Sequence, residues 1–313
     1  MHRANNSHRW AVILAGGDGV RLRSLTRLIS GDERPKQFCP LLGGRTLLTR
    51  TKQRVARGVS ENKTLFVVLN SHEPFYSKEL RNVPEHRILV QPSNRGTLPA
   101  ILWSLMELRA RDSEALAGFF PSDHHYAQED RFLAGIDLAF QAAQSYPSIV
   151  LLGAAAKHAA CDYGWIEAEA HLSEKNGVLR VKRFWEKPSS HVAEELLDRG
   201  CIWNTFVMMG RVQAFLDVVR SAAPEMYDAF DEIWRFPSRA NSIQALYERL
   251  EPADFSRLVL SGPQADKLGV FSLGDVGWTD LGDPRRVLKV AATAGAGESW
   301  TRLWGQQIVP EAS

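Results

Sequence analysis

Leu14-Ala15-Gly16-Gly17-Asp18-Gly19-Val20-Arg21-Leu22 closes a short apolar run that begins at Trp10. An apolar run of this length that ends in glycines reads as a buried strand running into a tight loop. Glycines let the backbone take positive φ and come close to a ligand. Successive N–H groups in such a loop can cradle phosphate oxygens. Arg21 adds a planar cation suited to phosphate. Two phosphate-loop templates fail here. A dinucleotide fingerprint counted from Gly17 needs glycine or alanine where Leu22 stands, and a P-loop needs a terminal Gly-Lys-Ser/Thr that is absent. The plain alternative is a strand-to-helix turn with no ligand.

Outward from this loop the first half alternates in type. Strands are expected over 10–15, 64–69, 87–90, 118–120 and 148–153. Helices are expected over 46–55, 73–81, 97–111 and 129–144. Such alternation implies an α/β fold, with a parallel sheet covered by helices. The second half is less regular. Strands are read at 164–168 and 178–185 around a charged turn at 173–177, then at 202–209, with a late strand at 268–273. Helical patterns fall at 212–222, 224–236 and 242–250. No repeat, linker or low-complexity tract interrupts the chain. The expected organisation is a polar tail over 1–9, one domain over 10–290 and a short tail over 291–313. Within the domain the character shifts near residue 155, between a half at 10–155 and a half at 156–290.

Downstream of the glycine loop stands Pro35-Lys36-Gln37-Phe38. G-G-x-G-x-R-L followed by P-K-Q-F resembles the signature of the sugar-1-phosphate nucleotidyltransferases. The Gln37-Phe38 ending is most similar to the mannose-1-phosphate guanylyltransferase branch. The resemblance implies a Rossmann-like fold of the nucleotide-diphospho-sugar transferase type, with a mixed, mostly parallel sheet. It implies that the loop (Leu14, Ala15, Gly16, Gly17 and Gly19) holds the NTP phosphates, while Arg21 and Lys36 neutralise their charge and stabilise the leaving pyrophosphate. Alone, Lys36 would read as a solvated loop lysine.

Other motifs follow the same order. Gln91-Pro92-Ser93-Asn94-Arg95-Gly96-Thr97-Leu98-Pro99-Ala100 leaves a strand and enters a helix, with Thr97 expected as its N-cap. It is similar to the family's base-binding stretch, T-A-P-A, with Leu98 in place of alanine; the resemblance assigns Gln91, Thr97 and Pro99 to the nucleotide. Pro121-Ser122-Asp123-His124 lies at a strand end, where open α/β sheets bind ligands. It resembles P-A-D-H, whose aspartate binds Mg²⁺, a hard cation that prefers carboxylate and phosphate oxygens. Tyr163-Gly164-Trp165-Ile166 resembles Y-G-Y-I, Glu186-Lys187-Pro188 resembles E-K-P, and Trp203-Asn204-Thr205-Phe206 resembles W-N-S-G with Phe206 in place of glycine. These imply a sugar-phosphate site from Gly164, Glu186, Lys187 and Asn204. Trp278-Thr279-Asp280-Leu281-Gly282 resembles W-S-D-L-G, which makes Asp280 the second Mg²⁺ ligand. A departure stands at 254–261, where Ser256 and Ser261 replace acidic residues of the family's S-I-D-x-x-x-x-E element.

Taken together, the resemblance implies Mg²⁺-dependent transfer from an NTP, GTP in the first place, to a sugar 1-phosphate, mannose 1-phosphate in the first place. The catalytic set would be Arg21, Lys36, Asp123 and Asp280, and the products GDP-mannose and pyrophosphate. Two alternatives stay open. One is a transferase for another base or hexose; the other is a non-catalytic regulatory protein that binds nucleotide or sugar phosphate, motivated by Ser256 and Ser261. The expected partners are small-molecule substrates, with a homodimer left open.

Composition sets the frame for this reading. In 313 residues, 44% are hydrophobic and 24% charged, the profile of a globular protein. Cys39, Cys161 and Cys201 form no C-x-x-C pair for zinc or redox chemistry. A net charge of +2 suggests neither nucleic acid nor a membrane surface as partner. No apolar run is long enough for a bilayer and the start lacks a signal-peptide core, so a cytoplasmic protein is expected. The short segment after Gly282 is too small for the cupin-type isomerase domain fused to some relatives, so a lone transferase module is expected. Of nine tryptophans, Trp165, Trp185, Trp203 and Trp278 lie in or beside sugar-side motifs. Core packing is their simplest role.

Overall fold

The structure is a computed structural model that describes residues 7–169, 177–236, 239–293 and 300–301. In chain order, strand β1 is Arg9–Leu14, helix α1 Arg23–Ser30, α2 Leu47–Val55, β2 Thr64–Leu69, α3 Glu73–Glu79 and β3 Ile88–Gln91. Then come α4 Thr97–Arg111, β4 Leu116–Pro121, β5 His125–Tyr126, α5 Glu129–Ala143 and β6 Val150–Ala155. The second half contains β7 Gly164–Ala168, β8 Val178–Glu186, α6 Ser190–Asp198, β9 Ile202–Arg211 and α7 Val212–Ala222. It closes with α8 Pro224–Trp234, α9 Ala240–Arg249, β10 Gly269–Ser272, β11 Trp278–Thr279 and α10 Pro284–Thr293.

Nine strands form one sheet in the order β3-β2-β1-β4-β9-β6-β10-β8-β7, and β5 pairs with β11 apart from it. The run β3-β2-β1-β4 is parallel. Strand β9 enters antiparallel between β4 and β6, and β8 is antiparallel to both β10 and β7. All other strands of the large sheet share one direction, so the sheet is mixed and mostly parallel. Both faces are covered, which is why β1 and β2 read as continuous apolar runs. Side chains alternate across the sheet. Val12, Leu65 and Val67 pack with α4, α7, α8 and α9, whereas Ala11, Ile13, Phe66 and Val68 pack with α2, α5 and α6 on the other face.

Several expectations are corrected. The polar tail expected through residue 9 ends earlier, because Arg9 is buried and already paired in β1. Helices α1, α6 and α10 and the β5–β11 pair are not among the elements read from sequence. The boundary expected at 290 falls inside α10. That helix packs Val287 and Ala291 on Leu22 and Leu25 beside the glycine loop, and Trp300 joins the same cluster. Most of the charged turn expected at 173–177, and most of the tail, lie outside the described residues. Among the described residues no helix is long and apolar enough to cross a membrane.

His72, just after β2, links this frame to the loop. It is buried, its Nδ1 has no partner, and Nε2 lies 3.4 Å from Asp18 Oδ1. Burial holds its pKa below 6.5, against the pull of Asp18. Below pH 6.5 the unfolded chain therefore takes up this proton before the native chain does, and stability falls with pH in that range. His72→Phe should lose less stability than wild type between pH 7 and pH 5.5. Urea midpoints at the two pH values would test this, and equal losses would contradict it.

Candidate active site

The carboxyl ends of β1, β3 and β4 and the adjoining ends of β7, β8 and β9 surround one cleft of about 430 Å³. Leu14, Gly16 and Gly17 form its glycine-loop wall. The Ala15 N–H is spent on the Val67 carbonyl at 2.8 Å, so that group is not free for a phosphate. Gly19 has φ 59°, and a Cβ there would stand 2.9 Å from the Lys36 nitrogen. Only glycine lets the loop lie this close to the Pro35-Lys36 segment. Gln37 fixes the loop from below: its buried Nε2 donates to the carbonyls of Ala15 (3.1 Å) and Gly17 (2.7 Å). Asn94 donates to Asp18 at 2.7 Å from the opposite side.

Arg21 is not in the wall. The backbone after Gly19 makes a single 3₁₀ turn, Val20–Leu22, that buries Leu22 and leaves Arg21 on the rim. Arg21 is 62% exposed and lies 3.7 Å from Asp162. Gln91 is buried in the cleft floor, where its Oε1 accepts from the Tyr247 hydroxyl. Thr97 is the first residue of α4, and Gly96 is the N-cap, which corrects the expected cap. The Thr97 hydroxyl accepts from the Phe255 N–H at 2.8 Å, so the 95–98 loop is stitched to 253–255. Gly96, at φ 84°, abuts the Ala253 carbonyl with no room for a Cβ. Pro99 is buried in the first turn of α4 and does not line the cleft.

Asp123 and Asp280 both face the cleft, one from the end of β4 and the other from the end of β11. Lys36 joins them. Its Nζ lies 3.2 Å from Asp123 Oδ2 and donates to the Asp280 carbonyl. Asp280 Oδ1 accepts from the Gly282 N–H at 2.8 Å and from Arg286 at 2.7 Å. Burial would raise the Asp280 pKa, but Lys36 and Arg286 hold it below the usual value. Arg286 also grips Asp162 through both carboxylate oxygens at 2.6 Å. A chain of alternating charge thus runs Arg21, Asp162, Arg286, Asp280. Arg286 and Asp162 were missed in the sequence because neither belongs to a recognisable motif.

His124 is fixed by Trp278, whose indole N–H points to Nδ1 at 3.2 Å. Indole can only donate, so Nδ1 accepts and a neutral His124 carries its proton on Nε2. Burial lowers its pKa, which favours that neutral form.

The other end of the cleft is walled by Gly164, Glu186, Lys187, Asn204 and Phe206, joined by Asp254 and Ser256. Gly164 pairs with Glu186 across β7 and β8. A Cβ on Gly164 would stand 3.2 Å from Glu186 Oε2 and 2.8 Å from Phe184, so glycine is required by the packing. Burial raises the Glu186 pKa, and the Asp254 charge adds to this. Lys187 lies 3.5 Å from Glu186 and has φ 47°.

Residues 10–296 match the family profile described as nucleotidyl transferase. The chain belongs to the nucleotidyl transferase family. It is 30% identical over 298 residues to xanthan biosynthesis protein XanB of Xanthomonas campestris pv. campestris (strain B100), covering 92% of this chain and 60% of that protein. It is 28% identical over 311 residues to mannose-1-phosphate guanylyltransferase 2 of Escherichia coli O157:H7, covering 94% and 59%. Among solved structures it resembles mannose-1-phosphate geranyltransferase from Thermus thermophilus, with a TM-score of 0.79 and 25% identity over 90% of this chain and 79% of that one. The chain spans about 60% of the length of these two curated relatives.

Within this fold, the departures seen in sequence acquire a place. Ser256 lines the cleft, and Asp254, two residues earlier, presents a carboxylate to the same space. Ser261 instead donates to the Ser256 carbonyl across a π-helical turn, Ser256–Leu260. Trp165 and Trp203 are core residues, while Trp278 reaches the cleft.

Proposed function

We propose that this chain transfers a nucleotidyl group from an NTP to a sugar 1-phosphate, with GTP and mannose 1-phosphate as the favoured pair. The observation that carries the reading is a division within one cleft: Asp123, Lys36 and Asp280 beside the glycine loop, and Glu186, Lys187 and Asn204 opposite. A sugar-phosphate oxygen attacks the α-phosphorus as the bond to the β-phosphate oxygen breaks, and pyrophosphate leaves. The attacking phosphate is already ionised near neutral pH, so no base is needed. The protein supplies position and charge.

Lys187 would hold the attacking phosphate against the repulsion of the NTP. Glu186 and Asn204 would accept from and donate to sugar hydroxyls. Lys36, and Arg21 swinging in from the rim, would neutralise the departing pyrophosphate. His124 would offer its Nε2–H beside Asp123. Asp123 and Asp280 form a pair of hard oxygen donors that fits Mg²⁺ with phosphate oxygens completing its shell. Among the described residues no cluster of three or more His, Cys, Asp or Glu forms a fuller metal cage. Mg²⁺, when bound there, would supply charge neutralisation and orientation at the α-phosphate.

A matrix of NTPs against hexose 1-phosphates, scored by pyrophosphate release, tests the reading. Turnover should be highest with GTP and mannose 1-phosphate. Absence of turnover with every pair would overturn it in favour of a binding protein.

A further inference from the structure

We infer that Phe206 sets sugar specificity: it is a fixed aromatic wall that admits hexose 1-phosphates with unsubstituted hydroxyls and excludes N-acylated ones. This rests on the functional reading above and adds to it a residue and a substrate class.

Phe206 sits in the middle of β9 with φ 58°. The register between β6 and β9 shifts at this point, between Leu151 and Gly153, so the strand bulges. Side chains hold the bulge in place. The Thr205 hydroxyl donates to the Leu152 carbonyl at 2.7 Å, and the Phe206 N–H donates to Asn204 Oδ1 at 3.1 Å. A bulge residue in the left-handed region is the usual place for glycine. A bulky aromatic there is strained, in the way of residues held at ligand clamps.

The ring rests partly on the core and partly lines the cleft. It is half-buried and faces the cleft, propped edge-on against the fully buried Phe255 at a centroid distance of 6.4 Å. Glu186, Asn204 and Asp254 give the same end of the cleft its polar side. A pyranose has a hydroxyl rim and an apolar C–H face, and this pairing of carboxylates with an aromatic ring suits both. Room is short on both sides: Phe255 backs the ring, and at the same end of the cleft even a Cβ on Gly164 would stand 2.8 Å from Phe184 and 3.2 Å from Glu186. An added acyl group would therefore have to displace the ring.

The test compares wild type with Phe206→Gly and Phe206→Ala. Each is assayed for pyrophosphate release with mannose 1-phosphate and with N-acetylglucosamine 1-phosphate at fixed GTP. Calorimetric binding of each sugar phosphate is measured alongside. Both variants should lose about tenfold in kcat/KM for mannose 1-phosphate. The N-acetyl-to-mannose ratio should rise at least tenfold, with the KM for GTP unchanged. Glycine adopts φ 58° without strain, which offsets part of the packing lost with the ring, and a urea unfolding curve for each variant separates a loss of folding from a change of specificity. An unchanged ratio in both variants overturns the inference. If wild type turns over no pair at all, the functional reading fails, and the ratio of binding constants still decides the role of Phe206.

Discussion

Asp280→Asn should reduce pyrophosphate release by about 10²–10³-fold or more, the range seen when one charged or hydrogen-bonding stabiliser of a transition state is removed. Asparagine keeps the shape and can still accept the Gly282 N–H that aspartate Oδ1 accepts at 2.8 Å. What it loses is the negative charge, which burial alone would not sustain and which Lys36 and Arg286 hold in place. Arg286 keeps two other anionic partners, Asp162 and Asp283, so no cation is orphaned and the fold should survive. Removing one charge-assisted bond should cost about 1–3 kcal/mol of stability. The discriminating measurement is single-turnover pyrophosphate release at saturating GTP and mannose 1-phosphate, together with an unfolding curve. A folded variant with near-wild-type turnover would remove Asp280 from the catalytic set.

Legibility in the sequence followed locality. Strands β1, β2 and β6 lie in uninterrupted apolar runs because both sheet faces are covered, and composition records that directly. The insertion of β9 between β4 and β6 leaves no such mark, since a strand carries its partner and direction nowhere in its own residues. The glycine loop and the Asp123 and Asp280 motifs could be read because each is compact. Gln37 was noted only as part of a signature, yet it ties down two loop carbonyls. Arg286 lies on a helix with ordinary charged neighbours. Its meaning appears only when the fold brings Asp162 and Asp280 to its two ends. The role expected for Thr97 as a cap failed for a related reason: its partner, the Phe255 N–H, is 158 residues away. Position 206 could be flagged by resemblance but not explained. Its left-handed backbone is a property of the bulge rather than of any local turn sequence.

Lys36→Met should have two effects of opposite sign, and the pair tests the site more sharply than either alone. Lys36 has the Asp123 carboxylate at 3.2 Å and the Asp280 backbone carbonyl as partners, so its ammonium occupies one of the two carboxylates proposed to hold Mg²⁺ and borders the residue that carries the other. To neutralise a leaving pyrophosphate it must exchange these contacts for phosphate oxygens. Methionine fills similar space, adds no polar atom that needs a partner, and leaves Asp123 without its resident cation. Turnover should fall about 10²–10³-fold, because a positioned charge on the leaving group is lost. Divalent-ion affinity of the nucleotide-free protein should rise, by about tenfold, because the metal no longer competes with the ammonium for Asp123. Mn²⁺ titration followed by electron paramagnetic resonance reads the second effect without any turnover. If turnover falls while Mn²⁺ binding is unchanged or weaker, Lys36 acts on phosphate alone and the metal does not share its place at Asp123. If turnover is retained, the proposed neutralisation of pyrophosphate by Lys36 is wrong, whatever the metal does.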